Sequence, residues 1–113
     1  MLTLAPAPPL ADEEALDPGT VVLRAPAPMY VPRMLAERGL AGYEPHALDC
    51  FLAMVDLAPP GAVLDVGANV GIYGHLAAAY SDRDVHLFEP TPDAADVAGA
   101  ATMRPGARFT VVQ

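Results

Sequence analysis

The sequence predicts an α/β fold, in which three strands of a parallel sheet are connected by two helices. Three short apolar runs, at residues 62–66, 85–89 and 109–112, alternate with two helical patterns after residue 61. Because the connections are short, successive strands are expected to pair in parallel through right-handed crossovers. This order of strand, helix, strand, helix and strand is one βαβαβ half of a doubly wound sheet.

The composition limits the function classes open to such a chain. Its 113 residues leave room for one domain, and a hydrophobic content of 53% predicts a packed core. The formal net charge is −8, with no lysine, which disfavours nucleic-acid binding. Cys50 is the single cysteine, so we expect neither an intramolecular disulfide nor a metal site. No apolar run approaches the ~20 residues of a membrane span, and we expect a cytoplasmic protein.

The first 42 residues are expected to contribute little to the core. Residues 1–19 contain the run A-P-A-P-P followed by several acidic residues, and this Pro/Ala-rich stretch predicts a disordered tail. Residues 20–42 are expected to be an irregular N-terminal segment. Within it we predict a short strand at 20–23 and a short helix at 33–38 that ends at Gly39.

An amphipathic helix is predicted for residues 44–57. Pro45 suits its first turn. Cys50 flanks the apolar stripe and is expected to pack, while His46 is expected in solvent. The stripe, which repeats at i, i+3, i+4 and i+7, consists of Leu48, Phe51, Leu52 and Val55.

The helices of the sheet region differ in character. The first, at residues 70–80, is apolar nearly all round, which is usual for a helix buried against a sheet. Gly74 inside it predicts a close approach between helix and strand, and His75 is expected to be a partnered core or rim histidine. The second, at residues 92–103, is expected to begin with Thr91 as its cap.

The turn after the first strand carries the ligand-binding signal. It reads D-x-G-x-N-x-G, from Asp65 through Gly67 and Asn69 to Gly71. The glycines allow close backbone approach, asparagine tolerates left-handed geometry, and the helix N-terminus offers N–H groups to a carboxylate or phosphate. Glu89 ends the second strand, 22 residues after Gly67, where a carboxylate can accept hydrogen bonds from a ribose.

This spacing excludes two commoner nucleotide-binding sites. The dinucleotide fingerprint G-x-G-x-x-G does not fit, because Asn69 stands at the middle glycine position. A phosphate-binding P-loop is also excluded, because no Gly-Lys-Ser or Gly-Lys-Thr occurs in the sequence.

The turn and the end of the second strand together resemble a known family. The run D-V-G-A-N-V-G at residues 65–71, followed by F-E-P at residues 88–90, is similar to the FkbM family of S-adenosylmethionine-dependent methyltransferases. That family typically shows D-V-G-A-N-x-G and then F-E-P-N-P. A helix that begins near Tyr-Glu-Pro, here residues 43–45, also commonly precedes its first strand. The resemblance covers residues 43–113 and implies part of a Rossmann-like class I methyltransferase domain.

The resemblance implies S-adenosylmethionine as the cofactor. The glycine turn would line its methionine part, Asp65 would favour its ammonium and sulfonium charges, and Glu89 would clasp its ribose. Thr91 stands where the family usually has asparagine, so its cofactor contact departs from the family pattern. The acceptor implied by the family is a hydroxyl of a sugar or another small molecule. The predicted cofactor-binding residues are Asp65, Gly67, Ala68, Asn69, Gly71, Glu89 and Thr91.

Simpler roles stay open for these residues. Asp65 could merely cap the turn, and Glu89 could be a solvated residue at a strand end. Tyr43 and Glu44 could be ordinary residues at the start of a helix. No catalytic residue is predicted, because none of the three histidines lies in a supporting motif.

Methyltransferases of this class have seven-stranded sheets, and the sequence predicts three of those strands. We therefore expect a truncated chain that is inactive alone. We also expect the strand carrying Leu64 and Val66 to leave an unpaired, apolar edge. The alternative function is a non-catalytic module that binds a nucleotide, a cofactor or another protein.

Overall fold

The computed structural model describes residues 2–4 and 19–113 of the chain. Short strands and helices follow one another with brief connections. In chain order the elements are β1 (Leu2–Leu4), β2 (Val21–Leu23), α1 (Tyr30–Arg38), a 3₁₀ turn (Leu40–Gly42), α2 (Pro45–Leu57), β3 (Val63–Val66), α3 (Ile72–Tyr80), β4 (Val85–Phe88), α4 (Pro92–Gly99), β5 (Thr102–Met103) and β6 (Phe109–Val112). None of the described helices is long and apolar enough to cross a membrane.

The main sheet has the strand order β3-β4-β6, and both of its pairings are parallel. Val63 lies opposite Val85, which in turn lies opposite Phe109. This confirms the predicted order of three parallel strands with intervening helices. The carboxyl ends of all three strands therefore meet at one edge of the sheet.

One face of this sheet is covered and the other is open. Both α3 and α4 pack against the same face, where Val85 and Leu87 are almost completely buried. On the opposite face Leu64 is 64% exposed and Val66 is 79% exposed. Within the described residues β3 pairs only with β4, so its apolar outer edge is free, as predicted.

A second small sheet differs from the sequence prediction. Leu2–Leu4, expected within the tail, form β1 and pair in parallel with β2. The helix predicted for residues 92–103 ends at Gly99, and β5 pairs antiparallel with β2 instead. The physical reason is that β2 is buried along its whole length and its backbone groups need partners there. Residues 5–18 of the predicted tail lie outside the described residues.

The helices before the main sheet follow the prediction with two changes. α1 begins three residues earlier than predicted and stops at Gly39, whose positive φ of 68° is one that glycine adopts more readily than other residues. Leu48 and Val55 of the predicted stripe are buried on α2. Cys50 is exposed, so the expectation that it packs beside the stripe is wrong.

The connection between α2 and β3 is held by Arg83 from the turn that precedes β4. Its guanidinium donates hydrogen bonds to the carbonyl oxygens of Ala58, Pro59 and Gly61, at 2.5, 2.7 and 3.0 Å. These bonds satisfy carbonyl groups just after the end of α2 and fix the start of β3.

Gly74 brings α3 against the sheet, as the sequence predicts. A Cβ atom at this position would lie 2.8 Å from Cγ of Leu87 and 3.1 Å from Oδ2 of Asp65. Only glycine leaves room for the β4 side chain beneath the helix.

His75 joins α3 to α4 and β6. It is fully buried, and its Nε2 lies 2.9 Å from the carbonyl oxygen of Ala98, so Nε2 carries the hydrogen and donates it. The imidazole also meets Phe109 edge to face at 5.0 Å between ring centroids. Burial lowers the pKa of His75 to about 4, against the opposing effect of the hydrogen bond to Ala98. His75 is therefore a neutral core residue.

Gly74→Ala is expected to destabilise the fold by about 1–3 kcal/mol, because the added methyl overpacks the contact with Leu87. The matched control is Gly99→Ala at the end of α4, where a Cβ atom meets nothing within 4 Å. The control is expected to be neutral or up to about 1 kcal/mol stabilising. Urea unfolding followed by circular dichroism measures both, and equal stabilities would contradict the close approach.

Stability is expected to fall as the pH drops from about 6.5 towards 4, the interval between the ordinary and the lowered pKa of His75. Above that interval the imidazole is neutral in both states. Within it His75 is protonated in the unfolded chain but stays neutral in the folded chain. This difference lowers the free energy of unfolding by up to about 3 kcal/mol. Urea titrations across this range should show a smaller loss for His75→Gln. An identical pH dependence in both proteins would remove His75 as the cause.

Candidate functional site

The turn between β3 and α3 has the left-handed backbone that its residue types predict. Gly67, Asn69 and Gly71 have φ values of 74°, 53° and 89°. A Cβ atom on Gly67 would meet nothing within 4 Å, so this side of the turn is open to a ligand. A Cβ atom on Gly71 would instead lie 2.4 Å from Cε1 of His75, so this glycine is needed for packing.

The N–H groups of the turn are used internally, which differs from the expectation that they face an anion. Each N–H group of residues 67–71 donates a hydrogen bond within the protein. The next two, those of Ile72 and Tyr73 at the start of α3, have no acceptor within the described chain. The acceptors for residues 67–71 are Phe88 O for both Gly67 and Ala68, a carboxylate oxygen of Glu89 for Asn69, Asn69 Oδ1 for Val70 and Ala68 O for Gly71.

Glu89 connects the turn to the start of α4. Its Oε2 accepts a hydrogen bond of 2.7 Å from the N–H of Asn69, and its Oε1 accepts one of 2.8 Å from the N–H of Thr91. The side chain is 7% exposed, so it is not the solvated strand-end residue of the simpler interpretation. The hydrogen bonds, first that from Thr91, lower the pKa of Glu89 and keep it ionised.

Asp65 serves as a cap for α3 from outside the helix. Its Oδ2 accepts a hydrogen bond of 2.9 Å from the N–H of Gly74, in the first turn. The simpler capping role is therefore present, and it occupies one carboxylate oxygen; Oδ1 has no hydrogen-bond partner within the described chain. Burial raises the pKa of Asp65, the bond from Gly74 opposes this, and the nearby charge of Glu89 adds to the increase.

The side chains of Thr91 and Ala68 contribute less to the candidate site than predicted. Thr91 is the N-cap residue of α4, but its hydroxyl makes no capping hydrogen bond to the helix. Its backbone N–H donates to Glu89, and its side chain also helps to lower the pKa of that carboxyl. Ala68 is 8% exposed and lies beneath the turn. The structure thus brings all seven predicted residues to the carboxyl ends of β3 and β4, with Gly71 and Ala68 facing the core.

Tyr73, in the first turn of α3, is not among the residues that the sequence predicts for the site. Its hydroxyl donates a hydrogen bond of 2.8 Å to the carboxylate of Glu44, at the start of α2. The sign of such a role in the sequence is the hydroxyl group of Tyr73, which stands among apolar residues at the start of α3.

The three histidines do not supply a base at this turn. His46 is exposed on α2, and His86 is half-buried on β4. His75 is in the core, with its Nε2 directed to Ala98. Among the described residues no group of three His, Cys, Asp or Glu side chains is arranged to hold a metal ion.

A cavity of about 810 Å³ lies at the opposite end of the sheet, between the end of α2 and the turn before β4. Its two arginines are already engaged, because Arg83 binds backbone carbonyls and Arg108 forms a 2.7 Å ion pair with Asp84. The carboxyl ends of the strands are therefore the better candidate site.

Comparison with models of known protein families and with curated proteins gave no match to this chain. The family resemblance rests on the motif residues of the turn and of the second strand.

Glu89→Gln is expected to lower the thermal unfolding midpoint by several degrees, because an amide can accept from only one of the two N–H groups and places an NH₂ against the other. Asp96→Asn is the matched control, since Asp96 is exposed on α4 and its side chain makes no hydrogen bond within the described chain. Thermal unfolding by circular dichroism distinguishes them. Equal midpoints would show that the Glu89 bonds contribute nothing to stability.

Proposed function

We propose that this chain forms the cofactor-binding part of an S-adenosylmethionine-dependent methyltransferase similar to the FkbM family. The observation that carries the proposal is the Glu89 carboxylate, which joins the left-handed turn after β3 to the end of β4. The motif residues that resemble the family are therefore spatial neighbours at the carboxyl edge of a parallel sheet, where such folds bind their ligands.

The residues present fit this cofactor. The open side of Gly67 allows the methionine part to approach the backbone, and the unpaired oxygen of Asp65 can accept a hydrogen bond from an ammonium group. The free N–H groups of Ile72 and Tyr73, at the positive end of α3, suit a carboxylate. The carboxylate of Glu89 keeps acceptor capacity for a ribose hydroxyl beyond its bonds to Asn69 and Thr91.

S-adenosylmethionine, when bound, supplies a methyl group on a positively charged sulfur. The carboxylates of Asp65 and Glu89 favour that charge, since no cationic side chain pairs with either within the described chain. The task of the protein is then mainly to align the acceptor with the methyl group. We propose a hydroxyl of a sugar or another small molecule as acceptor, and the charge of −8 argues against a nucleic acid.

A second candidate is a non-catalytic module that binds the cofactor or a nucleotide. The observation favouring it is that no histidine is open to a ligand at the turn, because His75 lies beneath Gly71 in the core and His46 and His86 lie on α2 and β4. Methyl transfer to small hydroxylated acceptors, followed with a radiolabelled methyl donor, separates the two candidates.

S-adenosylmethionine, titrated to millimolar concentration, is expected to shift the ¹H–¹⁵N resonances of Gly67, Asn69 and Tyr73. Gly67→Ala should weaken binding about tenfold, equivalent to roughly 1.4 kcal/mol, because its methyl fills the open side of the turn and a non-glycine residue strains the backbone at a φ of 74°. Gly99→Ala, remote from the site, is the control and should bind normally. ATP and NAD⁺ should leave these resonances unchanged. Equal shifts with ATP would favour a general nucleotide site, and no shift with any ligand would contradict the proposal.

A further inference from the structure

The starts of α2 and α3 are attached to each other by one side-chain hydrogen bond. The hydroxyl of Tyr73 donates to Oε2 of Glu44 at 2.8 Å, across 29 positions of sequence. The ring of Tyr73 also packs edge to face on Phe51 of α2, with 5.2 Å between the ring centroids. These two contacts hold the start of α2 against the first turn of α3, which directly follows the glycine turn.

The backbone of Glu44 is held in an unusual conformation. Its φ and ψ are 45° and 47°, in the left-handed region that non-glycine residues seldom adopt. Pro45 follows directly, and a residue before proline normally favours an extended backbone. Conformations of this kind persist where the surroundings hold them, and they cluster at functional sites.

The electrostatics show how near this attachment lies to the proposed cofactor site. Burial, followed by the hydrogen bond to Glu44, raises the pKa of Tyr73 to about 12, and the charge of Asp65 contributes as well. Burial, Glu44 and Asp65 also raise the pKa of Tyr43. Tyr73 therefore keeps its proton at neutral pH and remains a donor to Glu44. Tyr73 also directly precedes Gly74, whose N–H donates a hydrogen bond of 2.9 Å to Asp65, so the attachment lies beside that carboxylate.

We propose that Glu44 is a positioning residue of the S-adenosylmethionine site, which acts through Tyr73 to hold the first turn of α2 beside Asp65 as one wall of that site. This role rests on the proposed function. It explains why a charged residue, and not glycine, occupies a left-handed position: the carboxylate is needed to orient the tyrosine. The turn before α2 thereby becomes part of the ligand site.

The variants separate this role from a contribution to folding. Glu44→Gly suits the left-handed backbone but removes the carboxylate, so the main sheet should stay folded while S-adenosylmethionine binds about threefold to tenfold more weakly, the effect of one lost hydrogen bond. Tyr73→Phe keeps the ring against Phe51 and should show the same loss. Glu44→Gln keeps an acceptor oxygen and should retain most of the affinity. Affinities come from the ¹H–¹⁵N titration, and folding comes from urea unfolding.

Each outcome bears on the proposal. Unchanged affinity in both Glu44→Gly and Tyr73→Phe, with the wild-type chain binding, would overturn the positioning role and leave the proposed function intact. An equal loss in Glu44→Gln would overturn the hydrogen-bonded route through Tyr73. A wild-type chain that shows no binding would overturn the proposed function and this role with it. The pKa of Tyr73, measured by ¹³C NMR without ligand, gives a further test. It should be lower in Glu44→Gly than in the wild-type chain, and an unchanged pKa would contradict the attachment.

Discussion

The carboxylate of Glu89 is the constraint on which the rest of the site depends. It is nearly buried, it is ionised, and its two oxygens accept backbone hydrogen bonds from Asn69 and Thr91. Hydrogen bonds to a charged acceptor are stronger than neutral ones. One side chain thereby fixes the turn after β3, the end of β4 and the beginning of α4, and these three segments enclose the candidate site.

The packing of α3 permits this arrangement. Gly71 and Gly74 leave space for Leu87, whose side chain would collide with a Cβ atom at either position. Asp65 caps the helix, and His75 connects its buried side to α4. A helix that lies this close to the sheet carries its first N–H groups to the carboxyl edge of the strands, where a ligand can reach them.

Because the N–H groups of the turn are bonded within the protein, fewer classes of ligand suit the candidate site. A phosphate-binding turn must present several free N–H groups to its ligand. The N–H groups of residues 67–71 instead donate hydrogen bonds within the protein. The groups that the candidate site can offer a ligand are then two carboxylates, the first N–H groups of α3 and the open side of Gly67. That combination suits a ligand with both a cationic and an anionic group better than a polyphosphate.

Local patterns in the sequence determined the parallel βαβαβ order, the left-handed turn and the close approach at Gly74. Each depends on residues near one another in the chain, such as the period of apolar positions or the tolerance of Asn69 for positive φ. The short connections then favoured parallel pairing of successive strands through right-handed crossovers.

Tertiary structure alone decided which partners distant residues acquire. The N–H groups that surround Glu89, the attachment of Tyr73 to Glu44 and the pairing of β5 with β2 join segments far apart in sequence. Such contacts depend on which backbone and side-chain groups burial leaves in need of a partner, and burial is a property of the packed chain. For the same reason the sequence predicted Glu89 as a residue of the candidate site, whereas only the folded structure showed that its carboxylate joins the turn after β3 to the start of α4.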